Sequence, residues 1–402
     1  MKRIHAVLLL LALAALAACG KAIGTPRADD TLFLRSPRGI AVIETGAAAP
    51  SFKQYGAVPS GSWGTVVRTD AQVSSTRVIG TDPTTGTDVW ADVVPGHWRP
   101  KVVSQDGTLA ALGPDPERFH TRGRARTSLL IAGDGSEARR FDLRGNYEPE
   151  AFSTAHDSLF VVKYIPALKP KMYQVRRLNL RNGRVLPVYT PHKELQETMG
   201  GTARIQAASP DGNRLYTLYT VGGAGDSRYA FIHVLALDEE WAHCIDLPDG
   251  FADQADTATA LTVSPDNERL YIANSYTGAL AAIDTTTMQV VAEDRSSFAS
   301  GESTHVVADA DTVYVGTGYH VTAFDAVTLH SEDEWTTDEE VTGMQVSESG
   351  ADLYVGLWTK VQRIYLATGK KLEEIDPPGI KRIQTFGPVT EFEEEPVLKC
   401  AC

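Results

Sequence analysis

The stretch Leu261 to Val291, LTVSPDNERLYIANSYTGALAAIDTTTMQVV, constrains the fold more than any other part of this chain. An alternating apolar run meets the turn Ser264-Pro265-Asp266-Asn267, and a second run, Leu270-Tyr271-Ile272-Ala273, follows. A third run, Leu280-Ala281-Ala282-Ile283, ends at Asp284-Thr285-Thr286-Thr287 before a fourth at Met288 to Val291. Short runs of period two bounded by turn residues read as four antiparallel strands. So small a sheet cannot bury its own apolar face, which requires further copies stacked beside it.

Copies are present along the chain. An apolar–aromatic or apolar pair early in the second strand recurs as Leu32-Phe33, Leu159-Phe160, Leu215-Tyr216, Val313-Tyr314 and Leu353-Tyr354, with weaker forms at Val66-Val67 and Leu109-Ala110. Turns precede that strand at Ser104–Gly107, Ser209–Gly212 and Ser347–Gly350. Further turns between third and fourth strands fall at Glu44–Gly46, Pro83–Gly86, Gly133–Gly135, Arg181–Gly183, Asp238–Glu240, Asp325–Val327 and Ala367–Gly369. All are built from residues that tolerate or preset turn dihedrals. Residues 31 to 390 shared among eight copies give 45 residues each, within the range of about 40 to 50 for propeller blades. The expected fold is therefore all-β, a single β-propeller of four-stranded blades, with eight blades preferred and seven still accommodated. Its first unit starts at what should be a second strand, Thr31 to Arg35, and Lys381 to Phe386 can supply the missing inner strand, so both termini would close the ring.

SPDNERLYIANSYTGALAAIDTTTMQVVA and, less closely, SESGADLYVGLWTKVQRIYLATGKKLEEI resemble the YVTN-type propeller repeat of bacterial envelope proteins, similar in shape to WD40 and quinoprotein amine-dehydrogenase-like propellers. The match is strong over roughly residues 202 to 376. A local resemblance, Asp82-Pro83-Thr84-Thr85-Gly86-Thr87-Asp88-Val89-Trp90, is to the D-x-x-T-G-x-x-x-W repeat of pyrroloquinoline-quinone-type propellers, and it implies a tryptophan docked between blades at this one place. These resemblances imply fold and not activity, because unrelated functions share propellers.

Residues 1–18 read as a lipoprotein signal peptide, with Lys2 and Arg3 before the apolar Val7 to Leu13 and Leu16-Ala17-Ala18-Cys19 at its end. That ending resembles a lipobox, which implies acylation of Cys19, a membrane anchor there, and export to the outer face of the cell membrane, or to the outer membrane if the source has one. Residues 19–30 read as the lipidated tether, 31–390 as the propeller, and 391–402 as an acidic tail carrying Cys400-x-Cys402. Export permits disulfides. Cys244 can staple the tail through Cys400 or Cys402, while a Cys400–Cys402 pair, a loose metal site and unpaired thiols stay open.

A net charge of −13 excludes wholesale nucleic-acid binding, which needs a basic surface. The charge is uneven. Residues 99 to 184 hold 16 Lys plus Arg against 9 Asp plus Glu, whereas 234 to 402 hold 9 against 31. Successive blades occupy successive angles, so the ring should carry a positive sector, with Arg139, Arg140, Arg176 and Arg177 among its members. A binding loop would run from Pro114 to Arg126 with Arg118, Arg122, Arg124 and Arg126. Trp98, Phe119, Tyr319, Trp335 and Trp358 are candidate aromatic anchors. His233 and His243 flank the Asp238 turn beside Cys244 and could approach one another, but no spaced ligand set, haem attachment or catalytic constellation is present. The expectation is an envelope lipoprotein whose propeller is a non-catalytic binding or scaffolding module, with no catalytic residue, metal or cofactor, an envelope protein or polymer as partner, and a monomer by default. An envelope enzyme (lyase, hydrolase or quinone-linked dehydrogenase) acting at the central channel, and a small-ligand sensor, are the alternatives. Departures from the regular blade, in the Pro114 to Arg126 insertion and the loops around Val221 to Arg228, are where a site is expected.

Overall fold

The computed structural model describes residues 30–36, 39–45, 52–54, 56–116, 123–191, 198–222, 228–253, 255–295, 303–376, 385–386 and 389–391. Eight antiparallel sheets form the ring. Blade 1 is built from Thr31–Ser36, Gly39–Glu44 and Phe52–Gln54, with Thr385–Phe386 as its inner strand. Blades 2 to 8 follow as residues 58–95, 98–144, 146–187, 202–246, 259–295, 304–336 and 343–375. Within these seven the strands contributed by each blade's own segment are hydrogen-bonded in chain order, the first lying innermost except in blade 5. All eight expected second strands are in place, as are seven of the turns between third and fourth strands; Gly46 of the remaining one, Glu44–Gly46, lies outside the described residues. The vague first strand of blade 2 is the two-residue Val58–Pro59.

Local chemistry explains why the copies share a sequence signature. In six blades a serine, at 60, 104, 153, 209, 264 or 347, closes the turn into the second strand by accepting from the backbone N–H five residues on. Where an Asp stands two residues later, the same hydroxyl donates to it, as Ser264 does to Asp266 at 2.5 Å. That bond, with the Glu268 N–H, holds the Asp266 carboxyl below the usual range. The aromatic member of the second-strand pair ties neighbouring blades. Tyr271 donates to the Ala326 carbonyl of blade 7 at 3.0 Å, and Tyr354 of blade 8 to Asp30 at 2.6 Å. Apolar side chains from facing sheets fill each interface, as where Leu280 and Ala282 of blade 6 pack on Val313 and Phe324 of blade 7. The expected tryptophan docking is also present: Trp90 is buried between blades 2 and 3 and its Nε1 donates to the Gly107 carbonyl at 2.9 Å.

Ring closure uses both ends. Leu34 and Arg35 pair with Phe386 and Thr385, so the second strand of blade 1 lies antiparallel to the C-terminal segment. Residues 381–384 of the expected closing strand lie outside the described residues. Val389–Glu391 then adds a fifth strand inside blade 5, with Ile205 opposite Glu391, so this segment leads from blade 1 to the far side of the ring. Glu391, expected to open the acidic tail, is the last residue of that strand.

Candidate functional site

The order of strands gives the ring two different faces. One carries the tight turns between first and second and between third and fourth strands; the other carries the loops between second and third strands. The chain enters on the turn face, where Asp30 exchanges two backbone-linked hydrogen bonds with Thr45. The loop face is the apolar one. Seven of the twelve exposed large hydrophobic side chains among the described residues lie on or beside its second-to-third-strand loops: Val73, Leu168, Met172, Tyr229, Tyr276, Tyr319 and Trp358. They come from blades 2, 4, 5, 6, 7 and 8, and the tip residues of the corresponding loops in blades 1 and 3 lie outside the described set. Single exposed hydrophobics are normal on a soluble surface; here most of them are gathered on one face. On blade 4 the exposed Lys169 and Lys171 follow Leu168, while Asp338, exposed on the connection beside blade 8, pairs with Lys371.

The expected arginine loop is only partly a surface. Arg118 and Arg122 lie outside the described residues. Arg124 is mostly buried and is a fixture of the fold: its Nε donates to Asn146 at 2.7 Å and its Nη2 to the Tyr147 carbonyl at 2.7 Å, with an ion pair to Glu148. Arg126 is exposed. Elsewhere in the basic sector, arginines stitch blade to blade. Arg139 donates to the Leu180 and Arg181 carbonyls of blade 4, and Arg177 pairs with Glu240 of blade 5. Engagement of Arg124, Arg139 and Arg177 in structural bonds ties part of the positive charge read from the sequence into the fold, while Arg126 and Arg140 stay exposed. Of the aromatic anchors, Tyr319 and Trp358 are exposed, whereas Trp98 is buried with its Nε1 on the Pro95 carbonyl and Trp335 packs on Tyr314. Phe119 lies outside the described residues.

A central channel of about 1200 Å³ opens beside the inner strands of blades 5 to 8. Its wall carries Ile205, Gln206, Ala260, Thr262, His305, Val307 and Gln345, mainly small, apolar or amide side chains, and acidic Asp309, Asp311 and Glu348 stand at its turn-face mouth. The wall is thus largely apolar, with few hydrogen-bonding groups. Burial pushes the His305 imidazole down to about 4, so it is neutral near pH 7, and it hydrogen-bonds the backbone of Val341.

Blade 5 departs most from the shared pattern. One row crosses its sheet from the inner to the outer strand as Gln206, Thr217, His233 and Cys244, each directly opposite the next. At the second-strand position of that row, blades 3, 4, 6, 7 and 8 have Ala111, Val161, Ile272, Val315 and Val355. Irregularities in pairing on the inner strands of blades 4 and 5 bring in Glu150 and Gln206, since an extra residue in one strand re-aims a side chain. Gln206 donates to Thr217 at 2.9 Å and lies 3.5 Å from Glu150. Burial alone pushes the Glu150 carboxyl up to about 7. Above this row Tyr173, Tyr219 and Phe231 stack at centroid separations of 4.8 and 5.4 Å, near the strand ends at Val221 and Tyr229. The two histidines expected to approach each other do not, because His233 faces Cys244 while His243 is opposite Val234, on the other side of the sheet. Cys400 and Cys402 lie outside the described residues, so a bond from Cys244 to the tail stays an expectation. No group of three His, Cys, Asp or Glu among the described residues is placed to hold a metal.

No family model matches the chain. No curated protein matches it either. Among solved structures it is similar to apo AztD from Citrobacter koseri, at TM-score 0.55 and 13% identity, covering 91% of this chain and 98% of that one. A second structure of Citrobacter koseri AztD gives TM-score 0.54 and 12% identity over the same shares of both chains. BamB from Moraxella catarrhalis is matched more loosely, at TM-score 0.45 and 17% identity over 82% of this chain and 89% of that one. At these identities the AztD likeness establishes the propeller fold and nothing further. The polar row of blade 5 was not legible in sequence, since it depends on cross-strand register; the only signal was Cys244 beside His243.

Proposed function

We propose that this chain is a cell-envelope lipoprotein, anchored to the membrane through Cys19, whose propeller serves as a binding or scaffolding module rather than a site of turnover and meets an envelope partner with its loop face. The observation that carries this reading is the asymmetry of the ring. Exposed hydrophobic side chains from six blades gather on the loop face, whereas the chain enters on the turn face at Asp30. A tether from Cys19 to Asp30 spans at most about 40 Å when fully extended. An anchor at its far end leaves the turn face toward the membrane and the apolar face outward. The central channel is a second place for a small uncharged ligand, with Thr262 and Gln345 among its hydrogen-bonding groups.

Two measurements test this. Cys19→Ser is expected to move the protein from the membrane to the soluble fraction, and retention in the membrane would overturn the anchor. Photo-crosslinking residues placed at Tyr276, Tyr319 and Trp358 of the intact lipoprotein are expected to give discrete adducts in cells, and one at Val327 on the turn face none. Equal adducts from both faces, or a stoichiometric cofactor co-purifying with turnover, would overturn the binding role.

A further inference from the structure

We propose that Cys244, Met199 and His233 form a site for a soft monovalent metal ion, copper(I), at the outer part of the interface between blades 4 and 5. The Met199 thioether lies 3.9 Å from the Cys244 thiol. Two sulfurs held at a metal–sulfur length of about 2.3 Å and opened to 120° stand about 4.0 Å apart, so this spacing already fits a three-coordinate ion. His233 is directly across the strand pair from Cys244 on the same face, which brings the imidazole beside the thiol. Met199 is fixed in place: its N–H donates to the Tyr173 carbonyl at 2.8 Å and its carbonyl accepts from the Tyr173 N–H at 2.9 Å. An independent feature points into the same cluster. The Tyr173 hydroxyl is buried without a partner of hydrogen-bonding geometry, next to Met199 and Cys244.

Ligand chemistry selects the ion. Thiolate and thioether together favour copper(I) over hard cations, which take oxygen ligands. Structural zinc is almost always held by four ligands, and this cluster supplies three. Charge selects in the same direction. Binding releases the thiol proton to solvent, and the resulting thiolate with a monovalent ion is neutral, whereas a divalent ion would leave a net positive charge among Tyr173, Tyr219 and Phe231, where uncompensated charge is costly. Cys244 and Met199 are both half-buried, which leaves the ion a route from solvent.

The test uses the mature chain carrying Cys19→Ser, Cys400→Ser and Cys402→Ser, so that neither the lipid-anchor cysteine nor the C-terminal pair can supply the binding. Anaerobic titration with copper(I) against the chromogenic chelator bicinchoninate is expected to show one equivalent withdrawn by the protein. Cys244→Ser should abolish withdrawal and Met199→Leu weaken it at least tenfold, with thermal melting of the metal-free variants confirming that each is folded. Copper(I) should raise the melting temperature of the background chain but not of Cys244→Ser. No withdrawal by the background chain, or withdrawal unchanged in folded Cys244→Ser or Met199→Leu, would overturn the site.

Discussion

Single residues at the turns between third and fourth strands show how the chain resolves conflicts between backbone and packing. Seven of these turns place a residue in the left-handed region, with glycine at 86, 135, 183 and 369 but Glu240, Met288 and Leu329 in the others. A non-glycine there costs about 1 kcal/mol or more. Leu329 is fully buried against blade 6, and Glu240 pairs with Arg177 across to blade 4. Burial of a leucine outweighs the strain, so Leu329→Gly is expected to lower stability by about 2–4 kcal/mol in urea unfolding. A half-buried ion pair is worth little more than the strain it incurs, so Glu240→Gly should fall within about 1 kcal/mol of the parent. Two titrating groups act in opposite senses. Glu150 titrates near 7 in the folded chain against an ordinary value of 4.5, so its contribution is fully present below pH 4.5 and is lost as pH rises through 7. Glu150→Gln should match the parent near pH 4 and exceed it by about 3 kcal/mol at pH 8. His305 is depressed to about 4 from 6.5, so its contribution is present above pH 6.5 and lost as pH falls through 4. The difference between His305→Asn and the parent should therefore shift toward the variant on acidification across that window. Between pH 4.5 and 6.5 the two slopes oppose, and each variant unmasks the other group.

At the level of strands and blades, tight packing beneath Trp90 gives a further expectation. A Cβ on Gly80 would lie 2.2 Å from the Trp90 Nε1, and that nitrogen donates to blade 3. Gly80→Ala should displace the indole, break the tie between blades 2 and 3, and cost about 1–3 kcal/mol, the range for overpacking a close-packed interior. Its near-ultraviolet circular dichroism should change with the tryptophan environment, and an unaltered spectrum with parental stability would contradict the docking. What sequence revealed at this scale follows from its physics. The pair Leu270-Tyr271 and the turn Ser264–Asn267 recur because burial of the second strand and a serine-closed turn are local demands repeated in most blades. Val58–Pro59 was obscure because two residues carry no period. Glu150, Gln206 and Met199 were not legible as a neighbourhood, because pairing irregularities and the face chosen by a strand arise from partners distant in sequence. The Pro114 to Arg126 insertion read as a binding loop because charge is visible in sequence, while the bonds that bind Arg124 into the fold are not.

For the ring as a whole, the decisive seam is between blades 8 and 1. It is joined in several ways. Thr385–Phe386 supplies inner-strand pairing to blade 1, Tyr354 donates to Asp30 at 2.6 Å, and Gln345 donates to the Thr31 carbonyl at 3.3 Å. The buried Asp352–Arg363 pair, with the guanidinium also over the Tyr354 ring, stiffens the blade 8 side. Truncation after Gly379 removes the inner strand of blade 1 and the strand that runs on to blade 5, so the whole ring, rather than one blade, should melt at lower temperature. Tyr354→Phe removes only the hydroxyl from Asp30, a bond to a charged partner of about 1.5–3 kcal/mol. If the ring unfolds as one cooperative body closed at this seam, the two changes should not add: once truncation has opened the seam, loss of the hydroxyl should cost measurably less than it does in the intact chain. Full additivity in a double-variant cycle, or an unchanged single transition after truncation, would mean that the termini close nothing and that the interfaces between the other blades suffice to hold the ring.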